Sequence, residues 1–151
     1  RFFGAIKDTY KKSEAAVVVQ NLLEMQQGVL FEGDSAAIAN ELIGATWDEF
    51  PHLFDGRFGQ RPHKLSLAAF ALANAMMKLD FMESAKNRYA ICLGNILNEI
   101  GVNGRLYPFN SLDQKLIEDA ELAMVSFSKE IENSGLGRDM DAMFGNTDIK
   151  G

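Results

Sequence analysis

One segment of the sequence, residues 65–79 (LSLAAFALANAMMKL), constrains the fold more than any other. Only Ser66, Asn74 and Lys78 are polar in it, and its composition suits a helix. A helix that is apolar nearly all round is stable only when other elements cover it. The segment is too short to span a membrane, which takes about 20 apolar residues. We therefore predict that it forms the central helix of a buried core.

The rest of the chain shows a helical spacing of apolar residues, and no segment alternates as a strand would. The pattern predicts four further helices, over residues 13–27, 35–44, 82–100 and 112–133. Gly44 and Gly101 are expected to end two of them, because glycine is the preferred residue just after a helix. Ser111 and Gln114 have the spacing of a capping box, which would start the last helix.

The helix expected over 82–100 carries an apolar stripe with spacings of three and four residues. The members of the stripe are Met82, Ala85, Tyr89, Cys92, Ile96 and Ile100. The polar residues between them, including Lys86, are expected to face water. Cys92 is interpreted as a small buried residue and not as a nucleophile. As the single cysteine of the chain, it excludes an intrachain disulfide framework and suits the reducing cytosol.

These patterns predict an all-α fold, either a single-domain bundle or a helical-hairpin array of about five main helices. With 151 residues, the chain is long enough to bury one core. We assign residues 1–134 to the helical domain and residues 135–151 to a glycine-rich tail. Met140, Met143 and Phe144 are expected to anchor this tail, either on its own chain or on a neighbouring copy.

Charged residues are distributed in blocks along the sequence. The chain has 15 basic and 21 acidic residues and a net charge of −6, and residues 13–56 contain carboxylates but no Lys or Arg. Residues 57–64 are basic. An acidic chain of this kind is not expected to bind nucleic acid. Residues 1–12 combine aromatic and basic side chains, so they are expected to pack on the bundle, with contact to an anionic membrane as the less favoured alternative.

The helical pair expected between residues 69 and 97 has a further pattern of small and aromatic residues. It comprises Leu72 and Ala73 on the first helix and Ala85, Tyr89 and Cys92 on the second. In these residues the segment resembles one tetratricopeptide repeat. It departs from that family at Ala69, Met76 and Leu97, where a bulky aromatic, a tyrosine and a proline are common. The resemblance implies a helical scaffold that binds peptides or proteins, although arrays of such repeats usually need three copies.

The segment 46–64 (TWDEFPHLFDGRFGQRPHK) has no regular apolar spacing. It contains the single tryptophan, both histidines and two of the three prolines of the chain. Long irregular segments inside a compact domain are often functional. The candidate binding residues are Trp47, Asp48, His52, Asp55, Arg57, Arg61 and His63. One interpretation is a site in which a histidine acts as acid or base beside a carboxylate. The other is a structured loop whose aromatic residues fill the core. The spacing of the two histidines matches no metal site, so no metal or cofactor is predicted.

The absence of a catalytic motif favours a non-enzymatic protein–protein interaction module of the adaptor, regulatory or inhibitor type. Its partner would be another protein or a second copy of the chain, in the cytoplasm. The alternative is a small enzyme or ligand-binding helical bundle that uses the 47–64 loop. A third hypothesis is an acidic protein that binds a basic partner, in which case binding would depend strongly on salt.

Overall fold

The computed structural model describes residues 12–24, 35–54 and 61–134, which form five α-helices and two short 3-10 helices. The α-helices are α1 (Lys12–Glu24), α2 (Ser35–Glu49), α3 (Lys64–Met77), α4 (Ser84–Asn103) and α5 (Ser111–Ser134). The 3-10 helices are Pro51–Leu53 and Gly104–Leu106. These described residues contain no strand, so the prediction of an all-α fold is confirmed.

The helix α3 lies at the centre of the fold, as its apolar sequence predicts. It contacts α1, α2, α4 and α5. Its buried residues are Ser66, Leu67, Ala68, Ala69, Ala71, Leu72, Ala73 and Met76. Four of these eight are alanines, whose small side chains let neighbouring helices approach closely on several sides. The neighbouring helices therefore cover α3 along most of its circumference.

The helix α2 runs past Gly44 to Glu49, so the prediction that Gly44 ends it is wrong. A helical glycine costs only about 1 kcal/mol relative to alanine, which packing can offset. Here the turns after Gly44 gain such packing. Thr46 is buried and its hydroxyl donates to the Leu42 carbonyl at 2.9 Å. The Trp47 ring lies 4.6 Å from that of Phe54.

The helix α4 begins later and ends later than the sequence predicts. Met82 lies before the helix and is exposed, while Gly101 lies inside it. Lys86, expected to face water, is only 5% exposed. Its ammonium donates to both carboxylate oxygens of Glu130, at 2.8 and 3.0 Å, and to the Leu79 carbonyl at 3.3 Å. An ion pair with α5 has replaced solvent around this charge.

The start of α5 is capped by a reciprocal pair, but one residue earlier than predicted. The Asp113 N–H donates to Asn110 Oδ1 at 2.9 Å, and the Asn110 N–H donates to Asp113 Oδ2 at 2.9 Å. This is the arrangement of a capping box. The prediction that Ser111 and Gln114 form it is therefore wrong in register.

Several predictions concern residues outside the described ranges. These are residues 1–11 of the aromatic and basic arm, residues 25–27 of the first helix, Asp55 and Arg57 of the candidate loop, and the tail with Met140, Met143 and Phe144. Within the described part of the chain, no helix combines the length and apolar character that crossing a membrane requires. The resemblance to a tetratricopeptide repeat stays a prediction.

Candidate functional site

A buried carboxylate joins the first turns of α3 and α5. Asp113 has no exposed surface. It accepts hydrogen bonds from the His63 N–H at 2.5 Å, from the Asn110 N–H and from the Ser66 hydroxyl. A negative charge is stabilised near helix N-termini, where unpaired N–H groups concentrate. One carboxylate thus serves two helix starts that are about 50 residues apart in sequence.

His63 caps α3 and also contacts an aromatic cluster. Its Nδ1 atom accepts a hydrogen bond from the Leu65 N–H at 3.1 Å. Its ring lies 5.0 Å from that of Tyr107 and 5.3 Å from that of Phe109. Burial lowers the pKa of His63, and the nearby Asp113 carboxylate opposes that shift. A neutral imidazole with Nδ1 as acceptor fits these contacts, and they give His63 a structural role.

The described members of the 47–64 candidate set lie in two different surroundings. Trp47 is half-buried on α2, and the His52 ring meets the edge of Phe50 at 6.1 Å. Asp48 and Arg61 are exposed. The Arg61 carbonyl accepts a hydrogen bond from the Asn110 amide at 3.1 Å, beside the α3 start. Whether the full set converges on one pocket stays a prediction, because Asp55 and Arg57 are not described.

The aromatic residues Trp47, Phe50 and Phe54, in the described part of this segment, fill space between helices. Phe54 is buried against Trp47, and Phe50 meets the ring of Phe70 on α3 at 5.0 Å in an edge-to-face arrangement. Such pairs add to the free energy gained from burial alone. For residues 46–54, these contacts favour the interpretation in which the aromatic side chains fill the core.

A cavity of about 330 Å³, here named the α1–α4 cavity, opens where α1, α3 and α4 meet. It is lined by Leu22, Leu65, Cys92, Asn95, Ile96, Glu99 and Tyr107. The Tyr107 hydroxyl donates to the Glu99 carboxylate. This bond and the carboxylate charge raise the pKa of Tyr107. Burial raises the pKa of the Cys92 thiol to about 11, so the thiol is uncharged at neutral pH.

A second concave surface, the α3–α5 groove, has a volume of about 300 Å³. It is lined by Phe50, Phe70, Ala73, Asn74, Met77, Asp119, Leu122, Ala123 and Ser126. Met77 of α3 is 61% exposed and Leu122 of α5 is 65% exposed. Large apolar side chains from both helices therefore face solvent at the groove.

Sequence reasoning missed both concave surfaces. In the case of the groove, a signal was available: Leu122 and Val125 interrupt the otherwise polar outer face of α5. In the case of the cavity, Cys92, Asn95 and Glu99 recur at spacings of three and four, which places them on one face of α4. Neither pattern shows which helix lies opposite, so neither predicts a concave surface by itself.

Metal binding finds no support among the described residues, where no three His, Cys, Asp or Glu side chains come together in a way that could hold an ion. Comparison with protein-family models finds no match for this chain, and comparisons with curated proteins and with solved structures find none either.

Proposed function

We propose that this protein is a non-enzymatic interaction module whose α3–α5 groove receives an amphipathic helix of a partner protein. The observation that carries the proposal is the exposure of Met77 and Leu122, one from each wall of the groove. Exposed apolar side chains grouped at a concave surface are typical of interaction sites. A groove between two helices suits the apolar face of a third.

The charge around the groove specifies the chemistry of the partner. On α5, Asp119 lines the groove and is paired with Lys115 at 3.3 Å. Glu118 and Glu121 are exposed beside Leu122 and add negative charge next to the groove. Complementary charge increases the association rate and the specificity of a complex. We therefore expect the partner helix to carry Lys or Arg on both sides of its apolar face.

Two peptides of opposite charge test this proposal directly. Each is about 18 residues long, or five helical turns, with leucines at positions i, i+3, i+4 and i+7. The first has lysine and the second has glutamate at the remaining positions. Fluorescence anisotropy should show binding of the lysine peptide, weakened by added salt. The glutamate peptide should bind much more weakly.

Matched variants locate the binding surface. Met77→Gln combined with Leu122→Gln should lower the affinity for the lysine peptide at least about ten-fold, since it removes two apolar contacts from the interface. Val102→Gln combined with Leu106→Gln is the control, because these side chains are also exposed but lie outside the groove. Equal affinity of both double variants would contradict the proposal.

Self-association is a distinct outcome that light scattering coupled to size-exclusion chromatography detects. A dimer that dissociates on Met77→Gln and Leu122→Gln would mean that a second copy occupies the groove, and would overturn the assignment of a basic partner helix. The resemblance of residues 69–97 to a tetratricopeptide repeat also supports a binding scaffold. The single buried thiol suits the cytosol, where we expect the protein to act.

A further inference from the structure

The α1–α4 cavity lies away from the α3–α5 groove and has the features of a small-molecule site. Leu22, Leu65 and Ile96 supply apolar walls from three different helices. Pockets that bind small ligands are mostly apolar and contain a few polar groups that orient the ligand. A cavity of about 150 Å³ can hold benzene. At about 330 Å³, this one has room for a larger body of one or two rings.

The polar groups of the cavity come from one face of α4 and from the residue that faces it. Asn95 and Glu99 are one helical turn apart, and Tyr107 donates its hydroxyl hydrogen bond to Glu99. The Tyr107 ring is held on its other side by His63, at 5.0 Å. A carboxylate accepts several hydrogen bonds, so Glu99 can accept further hydrogen bonds besides the one from Tyr107.

The ionisation of the lining groups specifies the charge of a ligand. Cys92 and Tyr107 both have raised pKa values and are neutral at neutral pH. Asn95 is uncharged at any pH. Among the described residues that line the cavity, Glu99 alone carries a full charge. A cationic group would find a partner there, whereas an anionic group would be repelled.

We propose that the α1–α4 cavity binds a small cationic amphiphile, with a one- or two-ring apolar body between Leu22, Leu65 and Ile96 and an ammonium group paired with Glu99. The body replaces water in the apolar part of the cavity, and the ammonium group lies at the polar edge with Asn95 and Tyr107. This inference is independent of the proposed protein interaction, because it uses different residues.

Three indole compounds that share a two-carbon linker and carry a cationic, a neutral or an anionic group at its end test it on the full chain. Tryptamine is the cation, indole-3-ethanol the neutral analogue and indole-3-propionate the anion. Titration calorimetry should rank their affinities in that order, with tryptamine about two- to five-fold above the neutral compound, as a partly exposed ion pair provides.

Charge-removing variants locate the site. Glu99→Gln should lower the affinity for tryptamine to that for indole-3-ethanol. Glu118→Gln, an exposed carboxylate of α5 outside the cavity, should leave both affinities unchanged, and so should the groove variant Met77→Gln with Leu122→Gln. Failure of tryptamine to bind, or equal binding of the cation and the anion, would each overturn the proposal.

Discussion

At the scale of single residues, Asp113 and His63 hold together the part of the fold where α3 and α5 begin. Asp113 accepts three hydrogen bonds without any contact with solvent. Buried charge is tolerated only when hydrogen bonds of this kind satisfy it. His63 completes the arrangement, because its backbone N–H donates to Asp113 while its Nδ1 caps α3.

This arrangement makes stability depend on pH through His63. Burial lowers the pKa of His63 below its ordinary value of 6.5, so the unfolded chain binds a proton that the folded chain does not. Stability should therefore fall as the pH drops through about 6.5, until the lowered pKa is passed. Chemical unfolding between about pH 7.5 and 5 measures the loss.

His63→Asn is the matched variant, because asparagine is a good helix cap and does not titrate. It should show a smaller loss of stability than the original chain over the same range of pH. An NMR titration of the His63 ring, assigned with this variant, should give a midpoint below the ordinary histidine value. A midpoint above that value would contradict the prediction.

At the scale of secondary structure elements, α2 continues through Gly44, where the sequence pattern predicts that it ends. This is the clearest disagreement between the structure and the sequence pattern. A methyl group added at Gly44 would meet nothing within 4 Å. Gly44→Ala should therefore stabilise the fold by roughly 0.5–1 kcal/mol, since alanine favours a helix more than glycine does. Thermal unfolding measures the change.

Gly101→Ala is the control for this prediction, because Gly101 also lies inside a helix with open space around it. Both changes should raise the melting temperature. If α2 instead ended at Gly44, a left-handed conformation there would make alanine unfavourable. If Gly44→Ala destabilises the fold and Gly101→Ala does not, α2 ends at Gly44, as the sequence predicts.

At the scale of the whole molecule, the ion pair between Lys86 and Glu130 ties α4, α5 and the turn after α3 together. The two partners are unequal, because the Lys86 side chain is 7% exposed and that of Glu130 is 37% exposed. Glu130→Ala leaves a buried ammonium without its counter-charge and should cost roughly 2–3 kcal/mol. Lys86→Met frees Glu130 to meet water and should cost less than about 1 kcal/mol.

Urea unfolding of the two single variants and of the double variant measures this asymmetry. The double variant should be close in stability to Lys86→Met alone, since methionine fills the same space and leaves no buried charge. A loss from Lys86→Met as large as that from Glu130→Ala would contradict this asymmetry, because it would show that the ion pair itself, and not the uncompensated buried charge, accounts for the stability.

The sequence by itself determined the features that depend on local spacing. The apolar segment 65–79 had to be covered, and so it predicted the central helix α3. The periodicity elsewhere predicted the all-α fold. For the segment 46–64 the sequence left two interpretations open, a site or a core-filling loop, and the contacts of Trp47 and Phe50 favour the second for the described residues. Each of these follows from residues within a few turns of one another.

The tertiary structure alone decided which distant groups meet. Asn110 and Asp113 cap α5, because Asp113 also accepts a hydrogen bond at the start of α3. Lys86 is buried because Glu130 faces it. The α1–α4 cavity and the α3–α5 groove exist only because particular helix faces lie side by side. Helical periodicity shows which face of a helix is apolar, but the face opposite depends on packing between segments that are far apart in the chain.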